Sequence, residues 1–410
     1  MKLFGLLSFL ILLNAKFEIG GLVMKKIGII TLFHNNLNYG AVLQAYALCK
    51  ILNKNGHDAA QISYKHKFMS RRESSLHKAR RMGIVLICRR VIEKIYNRLN
   101  IKKFSDIRLK LSDLFKRFIE DFIPHTEKVY DTQTIGETTN LYDSFITGSD
   151  QVWNGCEHGY YLDFVPSNKQ KISYAPSIAK TKLTDIEIEA LKKSLPTFDS
   201  ISVREKEAVE LLQGFTEKPI KLVADPTLLL SADDWEKVVK ERKIDGDYVF
   251  CYFLGDNIKS KKIVKKFALE KGLKTIFVQL NYRLSSVFDS RYGDEILYDV
   301  SPGQFLYLIK NAKYVFTDSF HAMVFGFLFK KQFFVFRRNK NNEMSTRITS
   351  LATYFKSEHR VCFEEEKECL DYIDNCPEIN YQNDFGELEK LKSFSTNFLL
   401  NSLEGKNDES

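Results

Sequence analysis

The sequence predicts an α/β fold of two Rossmann-like domains facing a cleft. Three observations carry that reading. Apolar runs of strand length alternate with longer helical patterns, as in parallel sheets buried on both faces. At 410 residues the chain is too long for one ordinary core and suits about two domains. Polar residues follow one apolar run after another, at the strand-to-helix turns where open sheets bind ligands. Residues 24–235 are expected to form the first domain and 236–400 the second.

In chain order, Leu3 to Leu13 is an apolar run behind a single Lys, too short to span a bilayer. It reads either as a secretory or anchoring leader or as an upstream extension with the start at Met24. The second reading is preferred, which sets residues 1–23 outside the fold. Ile27 to Leu32 is a continuous apolar strand. A polar loop, His34 to Gly40, leads into a helix over 41–55 closed by Gly56, and a strand follows over 59–64. This βαβ start lacks GxGxxG, so no dinucleotide fingerprint is present. Asn35, Asn38 and Gly40 in its loop either cradle an anion or a sugar or simply build a turn.

Residues 65–118 break the rhythm with a basic helical insertion. Residues 65–103 hold thirteen Lys and Arg against Glu73 and Glu93, so the formal charge of +9 belongs to this segment rather than to the fold. A solvated face is the commonest meaning of such a run, and peripheral contact with an anionic membrane is the alternative. No finger, helix-turn-helix or RNA-binding signature accompanies it, so nucleic acid is not expected as a partner.

The sheet pattern resumes with strands over 144–147, 171–174, 200–203 and 221–223, and with helices over 185–195 and 205–213. Arg204 stands at a strand's carboxyl end. There its guanidinium can clamp a carboxylate or phosphate, or pair with Glu205 or Glu207. A linking helix opens at Asp233. The second half has strands from Tyr248, over 275–278, 314–316 and 333–336. Its helices run to Gly272 and over 301–311, 322–329, 347–355 and 386–400, and residues 401–410 form a frayed tail. At its centre is KYVFTDSFHAMVFGFLF (313–329), a strand–turn–helix unit with His321 in the first helical turn. Free N–H groups there favour an anion, and a His can exchange a proton near neutral pH. Simple capping by Asp318 or Ser319 is the plainer alternative. The seven Cys are scattered without CxxC pairs, which implies reduced thiols in a cytoplasmic protein and no zinc site.

Seven stretches occur in a fixed order: IGIITLFHNNLNYGAVLQAYAL (27–48), FITGSDQVWN (145–154), ISYAPSIA (172–179), ISVREKEAVELL (201–212), ADPTLLL (224–230), VFTDSFHAMVFGFLF (315–329) and STRITSLATYF (345–355). As a set they resemble the polysaccharide pyruvyl transferase family, over nearly everything from Lys25 to about Phe355. The resemblance implies a fold similar to glycosyltransferase type B. It also implies transfer of the enolpyruvyl group of phosphoenolpyruvate onto a saccharide, or a lipid-linked oligosaccharide, as a pyruvate ketal. That reaction decorates cell-surface polysaccharide such as exopolysaccharide or capsule, and it needs no metal and no cofactor beyond the donor substrate.

His321 matches the family's His and is the expected general acid, and Arg204 matches its SVRE arginine as the anion clamp. Asp150 and Asp318 are the candidate bases. Asn35, Asn38, Gly40, Ser319 and Arg347 complete the candidate substrate-binding set. In the family an arginine often stands two residues before that His. Here Ser319 does, so one anion contact is either missing or supplied elsewhere, by Arg337, Arg338 or Arg347. The expected location is cytoplasmic, with 65–103 as an optional contact to the inner face of the membrane. Two other readings stay open. One is a nucleotide-sugar glycosyltransferase, which the same fold serves; the other is a non-catalytic scaffold of a polysaccharide assembly complex.

Overall fold

A computed structural model describes residues 24–65, 101–178, 180, 182–255, 258–279, 291–337, 345–362 and 366–405. The readings made on the leader 1–23, on most of the basic insertion (66–100), on Arg338 and on the tail from 406 lie outside these residues. Residues 401–404, expected within the frayed tail, instead continue the helix expected over 386–400, because Ser402 and Leu403 are buried against the rest of the fold.

Two sheets of six parallel strands organise the chain. The first runs β2-β1-β3-β4-β5-β6, from β1 (Lys26–Ile30), β2 (Asp58–Gln61), β3 (Ser144–Thr147), β4 (Gln170–Ser173), β5 (Ser200–Val203) and β6 (Ile220–Leu222). The second runs β12-β11-β10-β7-β8-β9. Its strands are β7 (Tyr248–Tyr252), β8 (Lys274–Val278), β9 (Glu295–Leu297), β10 (Tyr314–Thr317), β11 (Gln332–Phe336) and β12 (Val361–Cys362). Strand order reverses between β1 and β3 and again between β7 and β10. These are the switch points where loops diverge and leave a crevice at the carboxyl edge. The expected α/β class and parallel sheets are present. Elements that the sequence pattern did not reveal are β9, β12 and a helix over Glu366–Asn375.

Local chemistry explains where the elements begin and end. Helix α1 (Tyr39–Lys54) starts because Asn38 Oδ1 accepts from the N–H of Gly40 at 2.9 Å and of Ala41 at 3.4 Å. It stops at Asn55, followed by Gly56 at φ 85°. Of the insertion, the described part is an amphipathic helix, α2 (Ile101–Phe122), whose Leu111, Phe115 and Phe118 are buried. Helix α3 (Pro302–Asn311) opens with a reciprocal Ser301–Gln304 capping box and Pro302 in the first turn. Helix α4 (Phe320–Leu328) is capped by Ser319. Its Gly326 lets it press on β11, since a Cβ there would already touch Phe333 at 3.4 Å.

The halves share one hydrophobic core. Tyr39, at the start of α1, stacks on Phe305 of α3 at 4.1 Å and donates its hydroxyl to the Val300 carbonyl at 2.9 Å. Trp235 fills the space between Tyr46 of α1 and Phe325 of α4. After α5 (Ser345–Tyr354), the last helix, α6 (Gly386–Glu404), crosses back to the first sheet. There Ser395 Oγ accepts the Ala224 N–H at 2.8 Å, and Gln170 and Lys25 donate to the carbonyls of Ser402 and Leu403. No helix among the described residues is long and apolar enough to cross a membrane.

Candidate functional site

Because every strand of the first sheet points the same way, the turns after β3, β5 and β6 share one edge. The turn after β6 places Asp225 at its centre, fully buried. One carboxylate oxygen accepts from the Thr227 N–H at 3.0 Å and hydroxyl at 2.7 Å. The other accepts from Ser149 Oγ at 3.0 Å and from Arg204 Nη1 at 2.5 Å, and it faces His321 Nε2 at 3.6 Å. Burial alone would raise this carboxyl. His321, the Arg204 guanidinium and Thr227 outweigh it and hold the group well below the usual carboxylate range.

Arg204 is equally enclosed. Besides Asp225 it reaches Asp150 through Nη2 at 3.5 Å and Glu205 through Nε at 3.3 Å, and Phe320 lies across its guanidinium at 5.0 Å. Burial would lower its pKa, and Asp225, Glu205 and Asp150 raise it above the ordinary arginine value instead. The strand-end placement is the one read from sequence. The guanidinium, however, already faces three carboxylates of the protein, so it orders the edge before any anion arrives.

His321 comes from the other half, in the first turn of α4, and is largely buried. Its ring lies against the first turn of α1, where a Cβ on Gly40 would sit 2.0 Å from Nδ1, so only glycine fits there. On the opposite side, Nε2 is at ion-pair distance from Asp225 and makes no hydrogen bond among the described residues. The two halves therefore meet at a His–Asp pair.

The other sequence-derived candidates divide. Asp150 joins the cluster. It holds φ 69°, a left-handed conformation unusual for Asp, and its carbonyl accepts the Ser177 N–H at 2.8 Å. Arg347 reaches in from α5, with Nη1 donating to Ser177 Oγ at 3.3 Å and Nε 3.8 Å from Glu205. It is buried beside the cluster, whereas Arg337 lies after β11. Asn38 and Ser319 act as the caps of α1 and α4. Two candidates lie apart. Asp318 is turned inward, its oxygens accepting the N–H groups of Leu254 at 2.7 Å and Gly255 at 2.8 Å. Asn35, at φ 51°, is exposed and pairs with His34.

Sequence reasoning missed Asp225, Ser149 and Phe320 as members of the site. Asp225 carried a usable signal, an acidic residue directly after a strand with Pro next, the kind of position held by Arg204 and His321. No group of three or more His, Cys, Asp and Glu among the described residues is arranged to hold a metal ion.

With this geometry in view, three comparisons bear on the chain. The family described as polysaccharide pyruvyl transferase matches residues 38–340. No curated protein sequence matches. Among solved structures, the UDP-GlcNAc 2-epimerase of Methanocaldococcus jannaschii is similar at a TM-score of 0.51, with 14% identity over 90% of this chain and 98% of that one. The UDP-N-acetylglucosamine 2-epimerase of Rickettsia bellii is similar at 0.52, with 10% identity over 93% and 97%. At such identities the likeness concerns the fold alone, a pair of Rossmann-like sheets similar to glycosyltransferase type B.

Proposed function

This chain belongs to the polysaccharide pyruvyl transferase family and is a transferase; from that premise we propose that it moves the enolpyruvyl group of phosphoenolpyruvate onto two hydroxyls of a cell-surface saccharide or its lipid-linked precursor. The observation that carries this reading is the His321–Asp225 pair, contributed by both halves and backed by Arg204.

In the proposed reaction protonated His321 gives its proton to the methylene carbon of phosphoenolpyruvate, which becomes a methyl group and leaves an oxocarbenium-like centre at the adjacent carbon. One sugar hydroxyl adds there. The C–O bond to phosphate then breaks, phosphate departs, and a second hydroxyl closes the ketal. Asp150 is the base that accepts the hydroxyl protons, as its carboxylate is partly accessible whereas that of Asp225 is sealed. Asp225 steadies the imidazolium. Two further carboxylates (Asp150, Glu205) and two guanidinium groups (Arg204, Arg347) surround this pair. The donor's anionic groups are met by Arg347 and by the first N–H groups of α4, where the helix dipole favours negative charge.

A nucleotide-sugar donor is the weaker reading. In the second half the crevice between β7 and β10 is where a nucleotide's phosphates would seek backbone N–H groups. Two of those N–H groups, Leu254 and Gly255, are already taken by Asp318.

Phosphate release from phosphoenolpyruvate, measured with a panel of saccharide acceptors, tests the proposal. Release should depend on acceptor and fall by about 10²–10⁴-fold in His321→Ala, the usual loss for a general acid. Absence of release with every acceptor, together with tight binding of a nucleotide sugar, would overturn it.

A further inference from the structure

Beside the reactive edge lies a second concavity of about 570 Å³ that the chemistry above does not use. It is bounded by the loop after β1, by α2, and by the stretch 125–129 that runs alongside the end of β2. Its volume falls within the usual range for small-molecule sites.

The floor is apolar, with Phe33, Leu37 and Ile119, and the rim carries neutral hydrogen-bonding groups such as Asn36, Ser112 and Thr126. Among the described lining residues the charged ones are Lys116, Glu120 and Glu127, with His34 and His125 beside them. Lys116 is paired with Glu120 at 3.5 Å. The apolar floor and neutral polar rim suit a ligand with an apolar face and many neutral hydroxyls. A sugar ring has that character.

The position is also informative. The loop that forms one wall ends in Asn38 and Gly40, and Gly40 lies against the His321 ring. Leu37 and Gly40 are three residues apart, at most about 11 Å of extended chain. The same loop therefore walls the concavity at one end and packs on the His321 ring at the other.

We propose that this concavity, walled by α2 and the loop after β1, is a subsite for a neutral saccharide unit of the acceptor, distal to the unit that is modified. The proposal rests on the pyruvyl-transfer reading for what happens at His321, but the binding it describes does not need the reaction to occur.

The test is calorimetric titration of the full chain with neutral β-linked gluco- and galacto-oligosaccharides of one to six units. Wild type is compared with Ser112→Trp, which fills the concavity, and with Glu127→Ala on its exposed rim. Wild type should bind longer chains more tightly than single units, and both variants should lose about tenfold or more of that gain, roughly 1.4 kcal/mol. Equal affinity in wild type and variants, or no binding of any oligosaccharide by wild type, would overturn the subsite. If Ser112→Trp fails to fold, Glu127→Ala decides alone. Phosphate release measured on the same samples separates the two ideas: cavity-dependent binding without any release would leave the subsite standing and remove the pyruvyl reading.

Discussion

In the first sheet, the turns after β3, β5 and β6 send Asp150, Arg204 and Asp225 toward one another. In the second, the turn after β10 folds Asp318 back onto the loop after β7 and sends His321 and Phe320 toward the first half. The turns after β6 and β10 are alike, each with a polar residue, Asp225 or Ser319, capping the helix that follows. The difference lies in where the charge goes. Buried charges are tolerable only when each finds partners, and removing one partner strands the rest. The first edge therefore commits its ionic groups to a closed set around Asp225. The second keeps its carboxylate satisfied by backbone and contributes one titratable ring. Topological equivalence of two turns does not imply equal roles.

Variants can break or sharpen this contrast. Asp225→Ala should act most strongly on the fold, losing about 3–5 kcal/mol because Arg204 is left buried without its closest carboxylate; chemical denaturation measures it. The pH dependence follows from the same group. Its folded pKa is depressed, so its contribution is complete above the ordinary carboxylate value of about 4 and is lost as pH falls further. Wild type should therefore lose more stability below about pH 4 than Asp225→Asn does. Matching acid profiles would mean that the first edge does not depend on this carboxylate. Gly40→Ala comes next, and should act on rate more than on stability. The added Cβ must displace the His321 ring, and a misplacement near 1 Å can cost about 10²-fold in turnover. Unchanged turnover would show that the ring position observed is not the working one. Asp318→Asn should be smallest. One backbone N–H loses its acceptor, costing about 1–3 kcal/mol by thermal or chemical melt, with turnover within about tenfold. A fall of 10²-fold or more in turnover would make Asp318 a base and erase the distinction between the edges.

What was legible in the sequence follows from range. Strands such as Ser144–Thr147 and Ser200–Val203 were read to the residue, because a short apolar run between turn signals is local information. β9 and β12, of three and two residues, are too short to show a period. His321 and Arg204 were legible because their signal is also local, a polar residue at a strand's end. Asp225 had that same signal and was passed over. Its importance comes from partners brought in from Ser149 and His321, and no spacing records such a meeting. Asp318 is the reverse case: an acidic residue in the expected turn, whose bonds to Leu254 and Gly255 depend on the pairing of β10 with β7.

The crossing of α6 has a consequence for biogenesis. Its Ser395 accepts the N–H of Ala224, the residue immediately before Asp225, across a sequence separation of 171. On a ribosome the first half emerges long before that helix does. A nascent first half goes without this contact until α6 leaves the exit tunnel. Translation that stops short of α6 yields a polypeptide carrying Asp150, Arg204, Asp225 and His321 and lacking the helix that bonds to the chain beside Asp225.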